Sequence, residues 1–264
     1  MDIYLSYKHI DFYNKKIWEP DSIDKKNTHI NFLKLNFFLL KKYFTNIYLI
    51  TDKQSLCNFE NLSWSNVYCI LNDLEKEYLN YVPVIFKLYA YNFAANQEKP
   101  FLHLDNDFFI LDQLDDNFLK SEAVAQSIDL AYSLDILYQQ NYIQKYCLNK
   151  YHFCNELFQY HNCGIIGGNN LNFLKEYSKT AIDFVLDKNN KNFWTKNTND
   201  LSGLSKSVIA EQVYYSCCAK KFNIKINLIS NKKYLHKWIH PYGFFKYDNF
   251  KEIEDIIINK INSP

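Results

Sequence analysis

The chain has 264 residues, 48% of them hydrophobic, and a formal net charge of +1. That length and apolar content are enough to build a full core in one domain, and the near-neutral charge excludes nucleic-acid or strongly acidic partners held by bulk electrostatics. Seven cysteines, an odd number without Cys-x-x-Cys spacing, argue against zinc ribbons and disulfide frameworks and for reduced thiols.

The N-terminus opens on the strand-like Asp2-Ile3-Tyr4-Leu5-Ser6-Tyr7 rather than on a basic segment followed by an apolar one. No run approaches the roughly 18 apolar residues that span a bilayer. These features predict a cytoplasmic chain without a transmembrane segment, and they leave peripheral membrane association open. The excess of Asn, Lys, Ile, Tyr and Phe is that of an AT-rich genome.

Ile3–Tyr7 reads as a short apolar strand. An amphipathic helix is expected from about Thr28 to Phe44, with Asn27 or Thr28 as N-cap and Leu33, Phe37, Leu40 and Phe44 on one face. Asn46–Thr51 is a second buried strand, closed by Asp52. Strand, helix and strand at this spacing form a βαβ unit, so the sheet is expected to be parallel. Val67–Leu71 gives a third strand. Pro83 then opens a helix running to Asn96, using proline where its missing N–H costs nothing.

Beyond residue 111 come a helix-forming polar segment (112–122), a strand at Ala123–Leu130 and a Tyr- and Gln-rich region (137–160). A glycine-punctuated strand follows at Asn162–Asn169, then a helix at Leu171–Leu186 and a polar loop over 187–205. Ser207–Lys220 is a further helix carrying Glu211 and Gln212. A terminal helix is expected at Asp248–Ile261. The pattern contains no internal repeat.

The stretch that carries chemistry is Phe101-Leu102-His103-Leu104-Asp105-Asn106-Asp107-Phe108-Phe109-Ile110-Leu111. An apolar strand is interrupted by two carboxylates one residue apart and resumes at once. Two such groups at the mouth of a buried strand need a counter-charge, and hard oxygen ligands suit Mg²⁺ or Mn²⁺. The carboxyl end of a strand is also where an α/β sheet holds a diphosphate. The plain alternative is a strand ending in a polar turn.

Four local patterns recur in one order: Lys87-Leu88-Tyr89-Ala90-Tyr91, Leu104-Asp105-Asn106-Asp107, Asn162-Cys163-Gly164-Ile165-Ile166, and His240-Pro241-Tyr242-Gly243-Phe244-Phe245-Lys246. Together they resemble the GT-A class of nucleotide-sugar glycosyltransferases, and within it the glycogenin-like and lipooligosaccharide-galactosyltransferase group, family 8. The Pro-Trp that follows that group's last lysine is here Tyr247-Asp248, and its acidic-Gln element is Glu211-Gln212.

The resemblance implies an α/β fold of GT-A type, with a Rossmann-like, mostly parallel sheet and helices on both faces. It implies one domain over 1–264, with a nucleotide-binding half (1–111) and an acceptor half (112–264) that ends in a metal and phosphate segment. Asp105, Asp107 and His240 would hold Mn²⁺ or Mg²⁺, with His236, four residues before His240, as the rival third ligand. Lys87 and Lys246 would face phosphate oxygens or donor-sugar hydroxyls, and Gly243 would permit close backbone approach to the diphosphate. Ser6 or Tyr7 would lie beside the base and Asn106 near the ribose. Glu211, Gln212 and Asn162 would serve the reacting sugar or the acceptor. Tyr142, Tyr146, Tyr151 and Tyr160 could form an acceptor wall. Asp52 reads as a turn residue and His103 as a packed core histidine, while His161 is left between sugar and core.

The implied activity is metal-dependent hexosyl transfer with retention, from a nucleotide sugar of the UDP type to a glycan or cell-surface saccharide in a bacterial cytoplasm. An inverting enzyme would need a carboxylate base, for which Glu211 is the candidate. Two alternatives use the same residues: a nucleotidyltransferase or sugar-phosphate enzyme on a related fold, and a catalytically inactive GT-A-like binding module. The first lacks its glycine-rich loop after the opening strand. The second has no reason to keep both aspartates with the histidine and the lysine.

Overall fold

The computed structural model describes residues 1–8, 23–74, 78–79, 82–130, 151, 153, 159–195, 203–241 and 250–263. Among these the elements run β1 (Asp2–Ser6), α1 (Ile23–Leu40), β2 (Ile47–Ile50), α2 (Lys53–Leu56), β3 (Asn66–Tyr68), α3 (Ile85–Ala95), β4 (Phe101–Leu104) and β5 (Phe109–Ile110). They continue with α4 (Asp116–Leu119), β6 (Ala123–Ala125), β7 (Ser127–Leu130), β8 (Gln159–Asn162), β9 (Ile165–Gly168), α5 (Leu171–Leu186) and α6 (Lys191–Thr195). The last are α7 (Gly203–Val208), a π-helical segment (Ile209–Val213), α8 (Tyr214–Phe222), β10 (Ile226–Leu228), β11 (Trp238–Ile239) and α9 (Phe250–Asn262).

Seven strands form one sheet in the order β10-β6-β9-β4-β1-β2-β3. β1 pairs in parallel with both β2 and β4, and β9 alone runs against its neighbours β4 and β6. The mostly parallel α/β sheet expected from the sequence is therefore present. The sheet first grows from β1 through β2 to β3, then returns to place β4 on the other side of β1. Open α/β sheets bind ligands in the crevice at such a reversal, outside the carboxyl ends of the flanking strands, here β1 and β4. Asp105 is the next residue after β4.

Strand residues alternate between two cores. Ile3, Leu5, Ile47, Leu49, Leu102 and Leu104 pack with Ile30, Leu33, Phe37 and Leu40 of α1. Tyr4, Ile50 and Phe101 face the other way and pack with Leu88 and Tyr91 of α3 and Leu174 and Tyr177 of α5. Helices therefore cover both faces. Helix α9 lies on α1, with Ile253 and Ile257 against Phe32, Leu39 and Phe109. At Gly167 and Gly168 the backbone has φ of 146° and 132°, and added Cβ atoms would stand 2.1 Å from Phe101 O and 2.3 Å from Glu122 O. Side chains there would push the central strand off its neighbours.

Several expectations from the sequence shift. Helix α1 begins and ends earlier than Thr28–Phe44, because Phe44 closes its final turn rather than extending it. The strand foreseen over Ala123–Leu130 breaks at Gln126, where pairing passes from β9 and β10 to β8. The polar 187–205 stretch is not a bare loop: it contains α6, which buries Trp194 completely. The helix expected at Ser207–Lys220 carries a π-helical segment, and three short strands, β8, β10 and β11, are not foreseen.

Candidate functional site

The Asp105–Asp107 turn is built from three directions. Asp105 N–H donates to Gly164 O at 2.9 Å, and Phe108 N–H closes the turn onto Asp105 O at 3.0 Å. Asn36, fully buried on α1, donates its amide to Asp105 O (3.2 Å) and Phe108 O (3.0 Å). β5 then pairs antiparallel with β11, placing Ile239 opposite Phe109 and so bringing His240 beside Asp107. Phe108 stacks on Trp238 at 5.4 Å and meets the His240 ring edge-on at 5.5 Å.

Ligand atoms of Asp105, Asp107 and His240 all lie within 4.8 Å of one another. His240 Nε2 is 3.3 Å from Asp107 Oδ1, and its Nδ1 is 2.7 Å from Gln126 Oε1. An amide oxygen can only accept, so Nδ1 carries the proton and donates to it. In the neutral ring Nε2 then turns a lone pair toward a carboxylate oxygen, an arrangement satisfied by a proton or by a cation between them. Gly164 makes this possible. A Cβ there would stand 2.0 Å from Gln126 Oε1 and 2.9 Å from the His240 ring.

Lys87, in the first turn of α3, reaches Asp105 Oδ1 and Glu211 Oε1, each at 2.7 Å. Tyr91, one turn further along α3, donates its hydroxyl to the same Glu211 oxygen. Burial disfavours the Lys87 ammonium, but Asp105 and Glu211 together reverse that and raise its pKa. Burial raises the Glu211 pKa, while Lys87 opposes the rise. Among the described residues three carboxylates (Asp105, Asp107, Glu211) thus meet one ammonium. Two carboxylates with an imidazole are a donor set that Mn²⁺ or Mg²⁺ accepts.

A family model described as "Family of unknown function (DUF6734)" matches residues 23–258. The chain belongs to the DUF6734 family. No curated protein matches it. Among solved structures, galactosyltransferase LgtC in complex with donor and acceptor sugar analogues is similar over 100% of this chain and 98% of its own, with 14% identity and a TM-score of 0.50. The bifunctional glycosyltransferase WbbM, in its apo form, is similar over 98% of this chain at 14% identity and a TM-score of 0.43, and the chain spans 51% of its length. The architecture of this DUF6734 protein is the GT-A fold, as expected from the sequence.

The remaining expected site residues of the DUF6734 chain lie as follows. Ser6, at the end of β1, bonds through Oγ to His103 Nε2 at 2.8 Å, and both are buried. Burial, then Lys87, keeps His103 well below the usual imidazole range, so it is a neutral core histidine. Tyr7 packs against Phe59, and burial followed by Asp52 pushes its phenol up to about 12. Asn106 is half-buried, and its Oδ1 has no hydrogen-bond partner among the described residues. Asn162 accepts from Gly164 N–H and donates to Asp129 Oδ2, both at 3.0 Å, so its amide builds the turn that carries Gly164. Gln212 is half-buried beside Glu211. His236 is exposed on the turn before β11 and is not part of the Asp105–Asp107–His240 group. Gly243 and Lys246 fall outside the described residues, as do Tyr142 and Tyr146. Tyr151 donates to Asp183 O and Asp187, and His161 is held by Ser216. Asp52 caps α2 and pairs with Lys8 at 2.8 Å.

Three residues of the neighbourhood escape the sequence reading, Asn36, Gln126 and Asp129, and Tyr91 enters it only as part of the Lys87 pattern. Gln126 left a signal, a lone amide between Ala-Val-Ala and a strand that resumes after it. Asn36 left a weaker one, a polar residue on the apolar side of α1.

Proposed function

We propose that this protein transfers a hexosyl group from a nucleotide sugar, of the UDP type by resemblance, to a saccharide acceptor, with Mn²⁺ or Mg²⁺ held by Asp105, Asp107 and His240. The observation that carries the reading is the convergence of these three side chains at the crevice where the sheet order reverses. The GT-A fold supports it independently. A divalent cation bound there supplies positive charge where the departing nucleoside diphosphate gathers negative charge.

The chain's own residues divide the remaining work. Gln126 fixes the His240 ring with Nε2 toward the carboxylates, and Asn36 holds the turn that presents them. Lys246 and Gly243 are assigned to the diphosphate by resemblance to the His-x-x-Gly-x-x-Lys pattern of family 8. Asn106 is assigned to the ribose by the same resemblance. The nucleotide half then comprises residues 1–111 and the acceptor half 112–264, with Gln212 and Asn162 on the acceptor side. Glu211 is buried and engaged by Lys87 and Tyr91, which makes it a poor base for an acceptor hydroxyl. That favours retention, with the leaving phosphate taking the acceptor's proton. No described helix is long and apolar enough to cross a membrane, which suits action in the cytoplasm on a soluble or membrane-edge acceptor.

The test is a panel of nucleotide sugars incubated with Mn²⁺ and assayed for nucleoside diphosphate release. One donor, or a few, should be hydrolysed slowly, and EDTA should abolish the release. Release that persists unchanged in EDTA would remove the metal from the reading, and no release from any donor would remove the transferase.

A further inference from the structure

We propose that Lys87 is a built-in counter-ion shared between Asp105 and Glu211, and that Glu211 is a positioning residue whose pull on Lys87 sets how tightly the Asp105–Asp107–His240 group binds a divalent cation. The proposal rests on the metal reading above.

Three observations carry it. The first is competition for one carboxylate: Lys87 Nζ stands 2.7 Å from Asp105 Oδ1, on the same side chain that belongs to the candidate ligand group. An ammonium so close lowers the negative potential offered to a cation. The second is that the ammonium is equally committed elsewhere, 2.7 Å from Glu211 Oε1, which Tyr91 also holds. With Glu211 charged, Lys87 is drawn from two sides and neutralises Asp105 in part. Without that charge, Lys87 would turn fully onto Asp105.

The third observation is that both residues occupy unusual local positions. Lys87 occupies the first turn of α3, the positive end of the helix dipole, where cations are unfavourable. Glu211 lies in the π-helical segment Ile209–Val213, and the backbone carbonyl of Glu211 accepts the Tyr177 hydroxyl at 3.1 Å. π-Helical turns are rare and gather at functional sites. A charge pair serving stability alone needs neither placement, and burying an ion pair is weak evidence of stabilisation in any case.

The experiment is calorimetric titration of the apo protein with Mn²⁺ alone, for wild type, Glu211→Gln, Lys87→Met and the double variant, with thermal melting to confirm folding. Glu211→Gln should weaken Mn²⁺ binding about tenfold, Lys87→Met should tighten it, and the double variant should resemble Lys87→Met. The loss caused by Glu211→Gln must vanish once Lys87 is gone. Should Lys87→Met fail to fold, Lys87→Gln takes its place in the cycle. Equal losses in both lysine backgrounds, or changes within about twofold throughout, would show a merely structural pair and overturn the proposal while leaving the metal site standing. Absence of Mn²⁺ binding by wild type, or binding that Asp107→Ala leaves intact, would overturn the metal reading itself.

Discussion

The Cβ that Gly164 lacks would stand 2.0 Å from Oε1 of Gln126, so the bond from Gln126 to His240 exists because residue 164 has no side chain. Gly164→Ala should therefore displace the amide and release the imidazole. We expect Mn²⁺ affinity to fall by about tenfold or more, with a stability loss of about 1–3 kcal/mol from overpacking. Calorimetry and thermal melting of the same sample separate the two effects. An alanine variant that binds Mn²⁺ like the parent would sink the role given to the Gln126–His240 contact.

Asp107→Ala should abolish metal-dependent binding of nucleoside diphosphate yet leave stability within about 1 kcal/mol, because removing one of two neighbouring carboxylates relieves repulsion. His240→Ala should weaken Mn²⁺ binding about tenfold or more, whereas His236→Ala, on an exposed turn, should leave it unchanged. If the two histidine variants exchange these outcomes, the ligand set needs to be redrawn.

Lys246→Ala should lower turnover more than it weakens donor binding. Charge on the leaving diphosphate is greatest in the transition state, so a lysine aimed at it stabilises that state preferentially. The loss should be on the order of 2–4 kcal/mol, roughly thirty- to several-hundred-fold in rate. Lys246→Arg should rescue it in part, since a planar fork replaces a compact charge. Steady-state kinetics decide: turnover within about twofold of wild type would reduce the His-x-x-Gly-x-x-Lys spacing to coincidence.

Asp52 gives a prediction for stability rather than activity. Its carboxylate caps α2 through Ser55 N–H and pairs with Lys8, which also donates to Leu71 O at 2.7 Å. Burial alone would raise its pKa, but the Lys8 and Ser55 hydrogen bonds outweigh that and lower it. A folded-state pKa below the unfolded one adds stability at neutral pH, and that contribution is lost as pH falls through the carboxylate range. Asp52→Ala should cost about 1–3 kcal/mol at pH 7 from lost cap and lost pairing. Asp52→Asn, which keeps a capping oxygen, should cost less. Denaturant melts at pH 7 and pH 3 test the sign: the gap between wild type and Asp52→Asn should narrow at the lower pH.

The parts of this protein that the sequence discloses are those whose signal is local. Asp105 and Asp107 stand out because two carboxylates interrupt an apolar strand, and α5 was placed correctly at Leu171–Leu186 because its apolar period is intact. His240 was reached through its spacing to Gly243 and Lys246, although what delivers it is the pairing of β11 with β5, two strands too short to leave a pattern. Lys87 was singled out, but its commitment to Glu211 was not, because a partnership across 124 positions leaves no periodic trace. The π-helical segment was equally hidden, since the apolar face of Ile209–Val213 reads the same at either hydrogen-bond spacing. Gln126 and Asn36 act through the atoms they touch, and only coordinates reveal what those are.

The ribbon of β5 and β11 also imposes an order on assembly. All seven strands of the main sheet are in place by Leu228, so a nascent chain can complete its scaffold before residue 240 emerges. The carboxylates of Asp105 and Asp107 are presented early, whereas the imidazole of His240 that stands beside them arrives only with β11, after the last strand of that sheet. A chain cut short after β10 would keep every strand of that sheet and lack the imidazole that stands 3.3 Å from Asp107.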